Sequence, residues 1–388
     1  TRTTPTATRT PTPTPTRSGP TSTPTPTRTP APTATPTPKP APLAGKIAFT
    51  VWNVPLGKYE LFVSRLDGTG RNPIGQGFRQ PQFRQDGAVL AVNGDGAPDH
   101  EHLVRLNAGG GDVVEVSNYT EDSFPTWSPD GNIVAYSSLS WGDGVSRVGI
   151  VHDMFGKIQD WIDVGNTEIR GDYPFWLADG RVVYSGCDFL IGGGNCGLYW
   201  VGAGGGNYTR LTDHHSDTAP AGFGKQVAFM SSRDGNWEVY GISADGGTAR
   251  RLTNNTSQDG LPTWSPDGRS IAFVSNRSGA WAIWAMNADG SNQRLLISEL
   301  PYLGTVAWSP DGYRLFYDYD SDGDYWNELL SYTFINAATN TIYDANQDFV
   351  AIWAGPISPD GKWIVFNRIE YGVSGNELFI NHAYLETL

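Results

Sequence analysis

The chain has 388 residues, a net charge of −13 and only 17% charged residues. Residues 1–43 hold five cations and no acidic residue, so the net charge of the remaining chain is −18. An acidic body without clustered Lys and Arg argues against a nucleic-acid partner. There is also no apolar run of about 18 residues that would predict a membrane span.

Residues 1–43 are almost entirely Thr and Pro. Alternating Pro fixes φ and removes every second backbone donor, which favours an extended polyproline II form. The composition is typical of an O-glycosylated stalk, with Thr12, Thr14, Thr25 and Thr27 as candidate acceptors, or of a disordered linker. Because the chain begins at Thr1 rather than Met, we expect a signal peptide or further chain before it.

Residues 44–388 are predicted to form one repeat domain. Trp-Ser-Pro-Asp-Gly occurs at 127–131, 264–268 and 308–312, and the Asp of this turn or of its worn copies falls at Asp86, Asp130, Asp179, Asp267, Asp311 and Asp360. The spacings are 44, 49, 88, 44 and 49 residues, the 88 being two periods with one eroded turn near 223–224. A period of about 40 to 50 residues indicates a solenoid, a propeller or an array.

Each repeat unit contains four short apolar runs, for example 261–264, 271–275, 281–286 and 293–297. Runs of this length predict strands rather than helices, and four antiparallel strands make one propeller blade. We therefore predict an all-β propeller, with eight blades favoured and seven blades plus a spare hairpin as the alternative. The first and last units look incomplete, which predicts an open strand edge that a second chain can join.

The repeat resembles that of the TolB-type β-propellers. The resemblance rests on Trp-Ser-Pro-Asp-Gly, Ile-Ala-Phe at 271–273, Asp-Gly-Asn-Trp-Glu-Val-Tyr at 234–240 and Arg-Arg-Leu-Thr at 250–253, and it covers residues 45–388. It implies a propeller that docks a partner protein over its channel. The fold signal is strong, whereas blades of this kind serve many functions.

Asp318, Asp320, Asp322 and Asp324, with Gly323, have the spacing of a calcium loop. The twelfth position is Leu329 where such a loop has Glu, and the alternative is a solvated acidic hairpin loop. Calcium is the only cofactor that the sequence suggests.

Cys187 and Cys196 flank a Gly-rich stretch at 191–194 inside one predicted hairpin. Opposite positions on paired strands lie within bridging distance, so we predict a disulfide and a location outside the cell or on its surface. His100 and His102 alternate in a way that can share a metal, but a polar rim loop is the simpler interpretation, as it is for His214 and His215.

The N-glycosylation pattern occurs at Asn118, Asn207, Asn254, Asn255 and Asn276. Asn and Thr are also common at strand ends and turns, which accounts for the same pattern without any glycan. The organism decides whether such positions are modified.

The sequence carries no enzyme signature: it lacks Gly-x-Ser-x-Gly, a phosphate-binding Gly loop with Lys, and His-Glu-x-x-His. We predict a non-enzymatic structural protein, a propeller subunit of a surface fibre in which the basic tail contacts the acidic body of a neighbouring copy. The first alternative is a recognition module on a stalk that binds a protein or peptide. The second is a hydrolase or lyase built on a propeller.

Overall fold

The structure of the protein is a computed structural model. It describes residues 46–53, 56, 58–65, 70, 72–84, 88–94, 102–117, 122–138, 147–152, 169–188, 194–300, 306–308, 312–319, 328–334, 337–343, 350–357 and 363–370. All of them belong to one compact unit, Lys39–Leu388. Within these ranges no helix has the length and apolarity to cross a membrane.

The described strands form seven sheets. Sheet 1 has the order β27-β28-β1-β2-β3, with strands β1 (Lys46–Asn53), β2 (Lys58–Arg65), β3 (Asn72–Gln76), β27 (Val350–Ile357) and β28 (Trp363–Glu370). Sheet 2 contains β4 (Arg79–Phe83), β5 (Val89–Asn93), β6 (Leu103–Asn107) and β7 (Val114–Glu115). Sheet 3 contains β8 (Asp122–Trp127), β9 (Ile133–Ser138) and β10 (Arg147–His152).

The other four sheets each have four strands in chain order. Sheet 4 contains β11 (Ile169–Trp176), β12 (Arg181–Asp188), β13 (Asn195–Gly202) and β14 (Thr209–Arg210), and sheet 5 contains β15 (Thr218–Phe223), β16 (Gln226–Ser231), β17 (Glu238–Ser243) and β18 (Arg250–Arg251). Sheet 6 contains β19 (Asp259–Trp264), β20 (Ser270–Ser275), β21 (Trp281–Asn287) and β22 (Arg294–Leu300), and sheet 7 contains β23 (Val306–Trp308), β24 (Arg314–Tyr319), β25 (Glu328–Thr333) and β26 (Ala338–Tyr343).

The first strands of the sheets form a closed ring. β4 contacts β8, and the contacts continue through β11, β15, β19, β23 and β27, which in turn contacts β4. Neighbouring pairs within six of the sheets are all antiparallel, and the seven sheets follow one another around the ring as propeller blades do. The all-β propeller expected from the repeat is confirmed.

The favoured count of eight blades does not agree with the described strands, which make seven sheets. The reason lies in sheet 1, where the last repeat and the first repeat join. β28 pairs with β1 in parallel, Lys46 opposite Trp363 and Ala48 opposite Val365. Two strands that the repeat predicted in separate blades therefore lie side by side in one five-stranded sheet.

The core consists of apolar clusters formed by the strands of these sheets. The second strand of sheet 6 is typical: Ile271, Ala272, Phe273 and Val274 are all fully buried. A short, continuous apolar run of this kind is what a strand covered on both faces requires. Its neighbours in the cluster come from sheet 5 as well as sheet 6, so burial of these side chains holds adjacent blades together.

The repeated turn has the geometry that its sequence favours. Ser265 Oγ lies 2.7 Å from Asp267 Oδ1 and accepts a hydrogen bond of 2.9 Å from the Ser270 N–H. Gly268 has φ +67°, in the left-handed region that favours glycine, and its N–H donates to the Ser265 carbonyl. Asp130 and Asp179 occupy the same turn in sheets 3 and 4, whereas Asp86, Asp311 and Asp360 lie outside the described residues.

Candidate functional site

Each sheet has two ends that differ in their connections. The turns of Asp130, Asp179 and Asp267 lie at one end, here called the turn end. The other end, here called the loop end, carries the start of each first strand and the loop between the second and third strands. In sheets 5 and 6 the loop end consists of residues 213–217, 232–237, 254–258 and 276–280. It is here that the described residues concentrate buried charge.

Three buried aspartates mark the loop end. Asp122, Asp217 and Asp259 stand at or just before the start of β8, β15 and β19, and each side chain is at most 1% exposed. The register places them opposite the last Ser of the second strand, as in Asp122 opposite Ser138 and Asp259 opposite Ser275. Because the same position recurs in three sheets, the repeat itself builds this row of carboxylates.

Two of these carboxylates are paired with arginine. Arg233 Nη2 lies 2.5 Å from Asp217 Oδ2, and Arg277 makes the equivalent contact with Asp259. Each Arg follows the paired Ser by two residues, and each guanidinium also lies over aromatic rings, Arg277 being 4.8 Å from the ring centroid of Trp284. Burial raises the pKa of Asp259 even with this partner.

Asp122 has no equivalent arginine, because residue 140 of the chain is Ser. It accepts a hydrogen bond from Ser117 and is also bonded by Ser138 and the Leu103 backbone. Burial nonetheless raises the pKa of Asp122 to about 7. Within the described residues one carboxylate oxygen of Asp122, of Asp217 and of Asp259 has no hydrogen-bond partner.

A fourth buried acid connects the loops of sheets 5 and 6. Glu238 is fully buried and accepts hydrogen bonds from Arg251 Nη2 (2.7 Å) and the Asn255 N–H (2.9 Å). The Asn236 amide donates to Glu238 at 3.0 Å and to the Asn255 carbonyl at 3.1 Å. The Thr253 hydroxyl accepts from the Val239 N–H. The Arg-Leu-Thr part of the repeat therefore anchors the loop that leads to the next blade.

The first strands of four sheets each contain a residue with a strained, positive φ angle close to the loop end. Phe124, Tyr173, Ala219 and Leu261 have φ between 48° and 56°, although none is Gly. Each lies at a register shift in its strand, as between Gly260 and Thr263. A β-bulge of this kind bends the strand and re-aims the residues beside it. The loop end is thus shaped by the same bulge in four consecutive sheets.

The histidine pair lies at the loop end but forms no metal cluster. His214 Nδ1 is 2.8 Å from Ser216 Oγ, and the His214 and His215 rings are 4.4 Å apart. Partial burial and the charge of His215 lower the pKa of His214. Among the residues that the structure describes, no group of three His, Cys, Asp or Glu is arranged to hold a metal ion. His100 lies outside those residues, and His102 lies beside the start of β6.

The calcium loop falls mostly outside the described part of the chain. Only the backbone of Asp318 is placed, in β24 opposite Leu329, while Asp320, Asp322 and Asp324 are outside it. Calcium binding there stays a prediction.

Cys187 and Cys196 form a disulfide between directly opposite positions of β12 and β13. This agrees with the hairpin predicted for them and is consistent with a protein outside the cytoplasm.

Some of the glycosylation candidates have exposed side chains, and others have side chains that are hydrogen-bonded within the protein. Asn207 and Asn254 are exposed. The Asn255 amide instead donates to Asp259 (2.7 Å), and Asn276 Oδ1 accepts from the Gln258 N–H (2.8 Å). These two Asn residues already have structural roles, while Asn118 and the four Thr candidates Thr12, Thr14, Thr25 and Thr27 lie outside the described ranges.

A groove at the turn end lies between sheets 4 and 5 and has a volume of about 420 Å³. Its central cation is already paired: Arg181 contacts Asp179 at 2.6 Å and Asp245 at 3.0 Å, and stands 5.1 Å from the Trp200 ring centroid. Asp245 also pairs with Lys225 at 2.8 Å. The groove is therefore best explained as an inter-blade clamp.

Sequence reasoning did not identify Asp122, Asp217, Glu238 or Asp259. A signal was present, because Asp-x-x-Pro precedes the turn motif at 122–125, 217–220 and 259–262. An Asp that recurs at the same position of several repeat units, next to apolar strands, predicts a buried carboxylate that has a similar partner in each unit. The partner arginines follow the second strand by two residues, so only the antiparallel register reveals the pairing.

Comparison with known proteins identifies the repeat. Residues 214–379 match the family described as TolB beta propeller domain. A stretch of 49 residues is 41% identical to the Tol-Pal system protein TolB of Desulfosudis oleivorans, covering 13% of this chain. The matched stretch spans only 11% of that relative's length.

Solved structures share the fold at low sequence identity. TolB from Acinetobacter baumannii is 15% identical with a TM-score of 0.52, over 86% of this chain and 68% of the other. Oligogalacturonate lyase from Vibrio parahaemolyticus is 15% identical with a TM-score of 0.59, over 83% of this chain and 94% of the other. At such identities the likeness concerns the fold alone.

Proposed function

The chain is a TolB-like β-propeller, and we propose that it is a protein-binding module whose partner docks on the loop end of sheets 5 and 6. The observation that carries the proposal is the interlocked frame of buried acids and amides under that surface. Asp217 and Asp259 pair with Arg233 and Arg277 of the loops above them, and Glu238 pairs with Arg251 of β18. A partner protein or peptide, rather than a nucleic acid, suits an acidic chain.

The frame fixes the surface before a partner arrives. The Trp237 N–H donates to the Gln258 side chain at 2.9 Å, and the Asn236 amide reaches the carbonyls of Asn255 and Ser257. These bonds tie the loop of sheet 5 to the connection that enters sheet 6. A preorganised surface binds more tightly because less conformational entropy is lost on association.

The surface also presents suitable contact residues. Trp237 and Trp281 are half-buried at the loop end, and Thr256, Ser278 and Ala280 of the loop-end segments are exposed. Aromatic side chains that are held rigidly and partly exposed are common anchors at protein interfaces. Exposed small residues around them leave room for a partner's side chains.

Selection of a displayed random peptide library on the full chain tests the proposal. We expect enriched peptides whose affinity falls at least about tenfold on Ala280→Arg, which adds bulk and charge to the loop end. Phe223→Ala is the matched control, since Phe223 is 40% exposed at the turn end of the same region. Enriched peptides that are blocked by Phe223→Ala and not by Ala280→Arg would contradict the proposal.

Two other functions have less support. The fibre subunit was motivated by an open first and last blade and by the basic tail, but the ring of first strands is closed by β27 and β4. The tail lies outside the described residues. A lyase or peptidase activity is suggested only by neighbours such as the Vibrio lyase, whose likeness does not extend beyond the fold.

We place the protein outside the cytoplasm, on the cell surface or beyond it. The disulfide in the β12–β13 hairpin supports an oxidising compartment. The Thr/Pro composition of residues 1–43 supports an extended stalk that separates the propeller from the cell surface. Mass spectrometry of cell fractions, with protease accessibility on intact cells, distinguishes surface display from a compartment within the envelope.

A further inference from the structure

The outer strand of sheet 6, β22, is the longest outer strand that the structure describes. It has seven residues, whereas β3, β10 and β26 have five or six and β7, β14 and β18 have two each. It is the last strand in the order of its sheet, and no described strand pairs with its outer side. Its sequence, Arg-Leu-Leu-Ile-Ser-Glu-Leu, contains neither Lys nor Pro, and the feature of a protected edge that it does carry is a pair of register shifts against β21.

An apolar residue occupies a position that holds arginine in two other sheets. Arg210 lies opposite Tyr199 in sheet 4, and Arg251 lies opposite Tyr240 in sheet 5. The equivalent residue of sheet 6 is Leu295, opposite Trp284. Leu295 is 43% exposed, among the most exposed large apolar side chains that the structure describes. An exposed Leu on a long strand edge offers a place where another strand can be added.

We propose that β22 is a self-association edge, at which a second copy of the chain adds its own β22 in antiparallel register. This inference does not depend on the loop-end proposal, because β22 is an outer strand and the loop end is built by loops. Strand addition at a sheet edge supplies main-chain hydrogen bonds between the two strands, interrupted here where β22 shifts register.

The sequence of β22 specifies one register for such a pair. With Arg294 opposite Glu299 of the second copy, Leu296 meets Ile297 and Leu295 meets Ser298. Register shifts against β21 leave Leu295 and Ser298 both exposed and Leu296 and Ile297 both half-buried. In this register exposed residues lie opposite exposed residues, half-buried residues lie opposite half-buried residues, and the cation lies opposite the anion. Because the dimer is two-fold symmetric, each of these pairs occurs twice.

The Thr/Pro segment of the same chain is a poor alternative occupant. Alternating Pro lacks every second N–H, so residues 1–43 cannot complete a ladder along β22. The β22 strand of a second copy contains no Pro, so every residue has a backbone N–H, and it carries the matching charges.

Sedimentation of the full chain over a wide concentration range tests the proposal. We expect a concentration-dependent dimer that Leu295→Lys weakens at least about tenfold, since edge lysines oppose strand addition. Val113→Lys is the matched control: Val113 is 54% exposed beside the outer strand of sheet 2, so its lysine should leave the dimer unchanged.

A charge exchange tests the register. Arg294→Glu and Glu299→Arg should each weaken the dimer by up to about tenfold, because each places two like-charged pairs opposite one another. The double variant should restore the wild-type dissociation constant. A chain that stays monomeric at all concentrations, a dimer insensitive to Leu295→Lys, or a double variant no better than the single ones would overturn the proposal.

Discussion

Trp264 donates a hydrogen bond from its indole Nε1 to the carbonyl oxygen of Ala221, 3.1 Å away in the neighbouring blade. The same bond runs from Trp127 to Gln82, from Trp176 to Thr126 and from Trp308 to Thr263. In sheet 5 the equivalent residue is Gly222, and a Cβ there would meet Leu177 at 2.4 Å. The repeated Trp is thus a polar link between first strands as well as an apolar filler.

Trp264→Phe should lower the free energy of unfolding by about 1–2 kcal/mol, because it removes this hydrogen bond and leaves the carbonyl unpaired. Urea unfolding followed by circular dichroism measures the change. Trp284→Phe is the matched control, since the buried Nε1 of Trp284 has no partner in the described residues. A control that costs as much as Trp264→Phe would show that ring volume, rather than the hydrogen bond, matters.

Asp122 makes the stability depend on pH. The folded protein keeps the Asp122 proton up to about pH 7, whereas the unfolded chain releases it near the ordinary pKa of 3.8. The unfolded state therefore binds fewer protons between these values, and stability falls as pH rises through that window. Asp122→Asn removes this cost, so relative to wild type it should gain stability from pH 4 to pH 7.5, by about 4 kcal/mol at most.

Unfolding at several pH values measures this difference, with Asp130→Asn as the control. Hydrogen bonds from Ser128 and Asn132 lower the pKa of Asp130, so its contribution is present above the ordinary value and is lost only in acid. The Asp130→Asn difference should thus be the same at pH 5 and pH 7.5. An Asp122→Asn difference that is equally flat would contradict the assignment.

Arg277→Met should destabilise the protein by about 3–5 kcal/mol, because it leaves the buried Asp259 carboxylate without its cation. The double variant with Asp259→Asn should recover part of this loss, since the buried charge is then removed as well. Arg269→Met controls for the loss of a surface cation. Arg269 is 86% exposed and its contact with Asp267 is long, at 3.9 Å, so we expect the free energy of unfolding to fall by at most about 0.5 kcal/mol. Additive single effects in the double-mutant cycle would rule out the coupling.

Replacing both Cys187 and Cys196 by Ser should lower the free energy of unfolding by about 2–3 kcal/mol, the value for a short closed loop. Intact mass under non-reducing conditions establishes that the wild-type pair is oxidised. Reduction of the wild type should reproduce the effect of the double substitution. If reduction leaves the unfolding midpoint unchanged, the bridge does not contribute to stability.

The repeat, the strands and the turn are all predictable from local sequence patterns. Trp264, Asp267 and Gly268 predicted a strand end and a turn because their preferences are local, and the period located the worn copy near 223–224, where β15 ends. The disulfide between Cys187 and Cys196 was also predictable, since opposite residues of one hairpin are close in sequence as well as in space.

The closure of the ring and the pairing of buried charges depend instead on contacts between residues far apart in the sequence. The parallel pairing of β28 with β1 joins residues about 317 positions apart, and no local preference encodes such a contact. Likewise, Asp259 and Arg277 acquire their roles only when the register brings them together in a dry interior. There a carboxylate needs a cation or a proton, and the three-dimensional arrangement supplies the cation to Asp259 and leaves Asp122 with the proton.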